Sequence, residues 1–232
     1  MVLHEENTLS SLEKKIGVGF NNKELIETAI THSSYANENR NIKYNERLEF
    51  LGDAVLELSI SEYLFKKYEG ISEGELTRKR ALIVCEASLH EISQKWDLGN
   101  YLKMSKGEEL TGGRTRVSIL SDCVEAIIAA IYLDKGFEFV KKFIIEVFKG
   151  IIEKAVKNEI ILDYKTRLQE VLQTNGKIDI KYELAKYEGP PHRRKFYTNL
   201  IFDGIVKSSG MGYTKKESEQ EAARKALKGL KN

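Results

Sequence analysis

Through residue 157 the chain alternates apolar and polar positions at the spacing of amphipathic helices, and it contains no proline there. The pattern predicts a short helix over Leu9 to Gly17 and a second beginning at Asn22, with Leu25, Ile26, Ala29 and Ile30 inward. Thr31-His32-Ser33-Ser34-Tyr35 leads into a polar loop, Ala36 to Tyr44. Asn45 is placed to cap a long helix that runs to about Tyr68, its buried stripe being Leu48, Leu51, Val55 and Leu58. A turn follows at Gly70 to Gly74, with Ser72 as the cap of a helix from Glu75 to about Trp96. A polar loop spans Lys103 to Arg116, then apolar helices are predicted over Ile119 to Leu133 and Phe137 to Lys157. The expectation is an all-α domain over 1–157.

Beyond a short connector at 158–162 the period changes. Tyr164 to Thr174 reads as a helix ended by Asn175-Gly176. Alternation at a period of two then selects Ile180, Tyr182 and Leu184, and Phe196, Thr198, Leu200 and Phe202. Asp203-Gly204 is a hairpin turn before a third strand, Val206 to Gly212. Thr214 and Glu217 form a capping box for a closing helix to Leu230, with Ala222, Ala223, Ala226, Leu227 and Leu230 inward. Residues 163–232 are therefore expected to form a small α+β domain of order α-β-β-β-α.

Polar positions inside the helices carry the candidate chemistry. Glu46, Glu49 and Asp53 share one face of the long helix, with no Lys or Arg four residues on. Their mutual repulsion calls for neutralisation, and a hard divalent cation with oxygen ligands supplies it. A solvated acidic face or a salt-bridge site is the other reading. Glu57 falls on the same face, so spacing alone does not select the ligands. Phe50 also lies on the charged side, which requires a cover from this chain or from a partner. Asp122 and Glu125 form a second acidic pair in a very apolar helix. The helix dipole accounts for Asp122; Glu125, a turn further in, is costly to bury unless it is paired or bound to a metal.

Composition narrows the class. Of 232 residues, 41% are hydrophobic and 31% charged, a balance able to bury a core. No apolar run reaches the ~18 residues that span a bilayer, and Met1 to Gly19 lacks the apolar segment of a secretory signal. Cys85 and Cys123 have no paired-ligand spacing; they are expected to be buried, reduced thiols of a cytoplasmic protein. The net charge of +2 conceals an asymmetry: 15 of the 37 basic and 9 of the 35 acidic residues lie in 163–232, leaving 22 basic against 26 acidic in 1–162. A basic tail behind an acidic body suggests a polyanion as ligand of the tail.

Asn45-Glu46-Arg47-Leu48-Glu49-Phe50-Leu51-Gly52-Asp53-Ala54-Val55-Leu56 resembles the signature of bacterial ribonuclease III. Thr31 to Tyr35, Glu73 to Arg78, Gly107-Glu108-Glu109 and Ser118 to Ala126 fit the same family in order and spacing, and the tail resembles its double-stranded-RNA-binding domain. The resemblance implies that Glu49, Asp53, Asp122 and Glu125 are metal ligands, with Asp53 and Glu125 closest to the chemical step. It makes Glu46 and Glu73 outer acids of the catalytic set, and Phe50 the aromatic that docks into a partner subunit. Glu57 matches no ligand and is treated as surface. His32 is read as structural, since hard-metal sites prefer oxygen, and Cys123 as packing.

The activity implied is hydrolysis of double-stranded RNA by a homodimer, leaving 5′-phosphate and 3′-hydroxyl ends and maturing rRNA, mRNA and tRNA precursors. Mg²⁺, with Mn²⁺ as substitute, would activate water and stabilise the leaving oxygen. No membrane partner is expected. In the tail, Gln169, Glu170 and the loop ending at His192 match minor-groove positions. Arg193, Arg194 and Lys195 follow that loop. Lys215 and Lys216, at a helix N-terminus whose dipole they oppose, make sense facing phosphates; two solvated lysines are the alternative. Glu219 departs from the family's basic pattern. A catalytically silent RNA-binding or scaffold protein is the competing reading, disfavoured by the intact acids; a nuclease for single strands conflicts with the tail.

Overall fold

The computed structural model describes residues 2–39, 41–158, 160, 163–174, 179–190 and 193–230. The chain divides into two compact units, Met1–Glu159 and Ile160–Asn232. In the first, the described elements are helical: α1 (Val2–Ile16), α2 (Lys23–Ala29), α3 (Ser33–Glu38), α4 (Glu46–Lys67), α5 (Glu73–Ile83), α6 (Glu86–Lys95), α7 (Lys106–Leu110), α8 (Val117–Lys135), α9 (Phe137–Val147) and α10 (Lys149–Val156). Helix α8 is the axis of this unit. From Ile119 to Ile131 all but Asp122 and Glu125 are buried, and α2, α4, α6 and α9 pack around it.

Several expectations are corrected. The predicted helix from Glu75 to Trp96 is two helices, broken where Val84 (ψ 8°) and Cys85 (ψ 157°) leave helical geometry. The Ser88 hydroxyl donates to the Leu82 carbonyl at 2.9 Å and satisfies an acceptor freed by the break. Cys85 is thus half-buried at a helix junction, whereas Cys123 is buried, and both are free thiols. The last predicted helix divides at Phe148, which is fully buried. Both polar loops contain short helices, α3 and α7, the second capped by Ser105 accepting from Glu108 N at 3.1 Å. Asn45 does not cap α4 with its side chain; its backbone N–H donates to the Thr31 carbonyl at 2.9 Å and the residue is buried.

The stripe on α4 also differs. Leu48 and Val55 are buried, but Leu58 is 57% exposed. The inward line runs instead through Leu48, Gly52, Val55 and Ser59. Two small residues in that line let α4 approach α8 closely, at the spacing of i+3 and i+4 neighbours.

The second unit contains α11 (Tyr164–Thr174), β1 (Ile180–Glu188), β2 (Lys195–Phe202), β3 (Ile205–Gly212) and α12 (Lys215–Gly229). The strands form an antiparallel sheet of order β1-β2-β3. Asp203 (φ 46°) and Gly204 (φ 80°) make the two-residue turn that Phe202 and Ile205 close. Leu168, Leu172, Leu200, Phe202, Ala222, Ala223, Ala226 and Leu227 form its core. Two predicted inward residues are exposed: Leu184, beside a bulge that ends the alternation of β1, and Leu230, at the C-cap of α12. The predicted stop at Asn175-Gly176 lies outside the described residues.

Candidate active site and nucleic-acid interface

Gly52 is the point from which the site is built. A Cβ on it would stand 1.9 Å from the Glu125 carbonyl oxygen, so α4 and α8 touch backbone to backbone. Glu49 lies one turn before Gly52, and Asp122 one turn before Glu125. Contact at Gly52 therefore brings acids from the two helices together. One carboxylate oxygen each from Glu49, Asp122 and Glu125 lies within 4.8 Å of the others. All three residues are half-buried, and among the described residues none is ion-paired with Lys or Arg.

The electrostatics record that crowding. Burial pushes Glu125 up to about 8, helped by the charges of Asp53, Asp122, Glu49 and Glu57. Burial, then Asp122, Glu46 and Asp53, raise Glu49. Burial and then Glu86 raise Asp122, against a lowering by His32. Three converging oxygens with no cationic partner are the donor set of a hard divalent ion, which would remove the repulsion that raises them. These residues fit such an ion.

A cavity of about 390 Å³ opens beside the cluster, lined by His32, Ser33, Asn45, Glu46, Glu49 and Asp122. Glu46 is exposed at its edge. Asp53 is exposed and outside the 4.8 Å group, though its charge reaches Glu49 and Glu125. Glu57 is not simple surface: it is half-buried and its charge reaches Glu125. Glu73 lines a different cavity, of about 340 Å³, between α4 and α5, with Leu58, Leu64, Phe65 and Leu76. It accepts the Thr77 hydroxyl at 3.0 Å. Phe50 is 82% exposed. Cys123 packs in the core, with burial raising its thiol.

Sequence reasoning passed over Gly52, Asn45 as a cavity wall, and Glu86. The signal for Gly52 was present: a glycine in a helix interior costs stability unless close packing requires it. Glu86 had no such signal, because the break before α6 is what turns it toward Asp122.

In the second unit, Thr214 accepts from Glu217 N at 3.1 Å, and Glu217 accepts in return from Tyr213 N at 2.8 Å, one residue before the cap. This cap holds Lys215 and Lys216 exposed in the first turn of α12. Gln169 is exposed, and Glu170 pairs with Arg167 at 2.9 Å. Arg193 is exposed and Lys195 half-buried, opposite Glu188 in the sheet register. Arg194 is half-buried with its guanidinium 4.7 Å from the Tyr187 ring centre, and its Nε is buried without a partner. The departing acid, Glu219, is neutralised by Lys165 at 2.6 Å. His192 lies outside the described residues.

Comparison with known proteins gives matches to both units. Residues 22–151 match the family described as Ribonuclease-III-like, and residues 164–230 the Double-stranded RNA binding motif. Ribonuclease 3 of Clostridium acetobutylicum is 69% identical over 230 residues, covering 99% of this chain and all of that protein. Ribonuclease 3 of Clostridium kluyveri is 63% identical over 230 residues, covering 99% of this chain and 94% of that protein. The nuclease domain of ribonuclease III from Campylobacter jejuni matches with a TM-score of 0.57 and 44% identity, over 60% of this chain and 95% of that one. That structure is described for flexibility in a region involved in dimer formation.

Proposed function

The chain belongs to the ribonuclease III family, and from that premise we propose that it is a Mg²⁺-dependent endoribonuclease that cuts double-stranded RNA. Its nuclease domain spans 1–157, a connector 158–162 and an RNA-binding domain 163–232. One observation carries the reading: acids from two distant segments, Glu49 on α4 and Asp122 and Glu125 on α8, converge within 4.8 Å, in a chain that also carries the double-stranded-RNA-binding motif.

Glu49, Asp122 and Glu125 would hold the cation, with Asp53, whose charge reaches Glu49 and Glu125, joining them when it binds, and Glu46 lines the entrance. When bound, the ion supplies Lewis acidity to the phosphate and to the attacking water. Mn²⁺ serves in its place. The buried packing behind α8 keeps the acids fixed, so little reorganisation is needed when the phosphate arrives. Hydrolysis leaves 5′-phosphate and 3′-hydroxyl ends on rRNA, mRNA and tRNA precursors. The tail grips A-form RNA through Lys215, Lys216, Gln169, Glu170, Arg193, Arg194, Lys195 and His192.

The enzyme works as a homodimer. Phe50, 82% exposed, inserts into the α4–α5 groove of a second copy, where Leu58, Leu64, Phe65 and Leu76 receive it and both apolar surfaces leave water. That docking brings the start of the inserting copy's α4 next to the Glu73 that lines the receiving groove, so each Glu73 serves the other copy's acidic cluster. No helix among the described residues is long and apolar enough to cross a membrane.

The test is duplex RNA incubated with Mg²⁺, with EDTA, and with Mg²⁺ restored. Cleavage that stops in EDTA and returns with the ion is the expected result. Binding without cleavage under all three conditions would instead make the chain a silent RNA-binding scaffold.

A further inference from the structure

We propose that His32 is a further catalytic residue, donating its Nε2–H to an oxygen of the scissile phosphate in the cavity beside Asp122. This rests on the nuclease reading above and assigns that site a residue the acids do not provide.

The backbone at His32 is pinned. Lys103 N donates to the Ile30 carbonyl at 2.8 Å, His32 N to the Lys103 carbonyl at 2.9 Å, and Asn45 N to the Thr31 carbonyl at 2.9 Å. His32 is thus stitched between the start of α4 and the segment leading to α7. Its ring is pinned as well. Nδ1 accepts the Ser34 backbone N–H at 3.3 Å and lies 2.8 Å from the Ser34 hydroxyl. The Ser34 N–H can only donate, so it makes Nδ1 an acceptor, and the Ser34 hydroxyl, whose oxygen accepts Ser105 N–H at 3.1 Å, donates to the same nitrogen. With Nδ1 committed as an acceptor, the ring hydrogen sits on Nε2.

The same ring lines the cavity with Glu46, Glu49 and Asp122. No hydrogen bond joins His32 directly to Asp122 among the described residues, and its Nε2–H is left for an acceptor that enters the cavity. The carboxylates can only accept or bind a cation; an entering phosphate also needs a donor. Capping does not account for the residue: Ser, Asp, Asn or Thr caps a helix better, and His is outside the preferred set. An imidazole can do both jobs, holding α3 through Nδ1 while its ring lines the cavity.

Two substitutions separate those jobs. Asn reproduces the acceptor at Nδ1 and removes the reach of Nε2. Gln places an N–H near Nε2 and weakens the cap. His32→Asn is expected to melt like the wild type and to bind duplex RNA within about twofold, measured in a Glu125→Gln background. Its single-turnover cleavage at saturating duplex should fall about ten- to a hundredfold, the range of one charge-assisted donor. His32→Gln should melt lower yet cut faster than His32→Asn. Cleavage by His32→Asn within twofold of wild type overturns the assignment. So does activity of both variants that simply follows their melting temperatures. A wild-type protein that cuts no duplex RNA in Mg²⁺ overturns the nuclease reading itself, and the role of His32 with it.

Discussion

At the scale of the residue, the proposed chemistry lies in carboxyls held where ionisation is costly. Burial raises Glu49, Asp122 and Glu125 alike, Glu125 to about 8. The sign of the linkage follows. An acid whose folded pKa exceeds its unfolded value favours the folded state below the unfolded value, about 4.3 for Glu, and that contribution is lost as pH rises through the folded value. In EDTA, the melting temperature should therefore fall between about pH 4.3 and about pH 8, and Mg²⁺ should restore it by taking the place of the protons. Asp97 is shifted the other way, held low by Lys15, and so is Asp134, which the Asn21 and Asn22 N–H groups hold low against its burial. Glu125→Gln should flatten the pH dependence, keep duplex binding and abolish cleavage. A variant that cuts normally would remove Glu125 from the mechanism.

At the scale of the element, the site depends on how closely two helices approach and on how one helix begins. Gly52→Ala sets a methyl group against the Glu125 carbonyl, where backbone rather than a flexible side chain must move. The cost should be about 1–3 kcal/mol, read as a lowered melting temperature. Activity should fall further than stability alone requires, because separating α4 from α8 separates Glu49 from Glu125. Melting and cleavage both unchanged would show that the helices do not touch there. At the start of α12, Lys216→Ala should weaken duplex binding and flatten its log–log salt dependence by about one unit per lost phosphate contact. The cap formed by Thr214 and Glu217 is untouched by that substitution, so an unchanged slope would place Lys216 away from the backbone of the RNA.

At the scale of the whole molecule, one copy leaves two apolar features uncovered: Phe50 on α4, and the α4–α5 groove with Leu58 and Phe65, 57% and 72% exposed. The proposed two-fold assembly would cover both at once, with Phe50 in it twice, once from each copy. Phe50→Ala should weaken the dimer by about two orders of magnitude or more, the scale of losing a buried aromatic anchor at two symmetric places. Sedimentation at micromolar concentration should show a shift toward monomer. A variant that stays dimeric at the same concentrations as wild type would move the interface elsewhere.

The sequence by itself determined the two units and their classes, because helical and strand periods are local properties of the chain. It also marked the acids as out of place, since Glu125 in a run such as Val124-Glu125-Ala126-Ile127 conflicts with burial wherever that helix packs. Tertiary structure decided which acids meet. Glu49, Asp122 and Glu125 form the close group while Asp53, on the same predicted face, stays exposed. That outcome depends on the rotation of α4 about the contact at Gly52, a property of two helices and not of either one. The breaks at Cys85 and Phe148, the exposure of Leu58 and the place of His32 beside Glu49 and Asp122 have the same origin. Each was settled by which neighbour occupies the adjoining space, and periodicity along one segment carries no information about that.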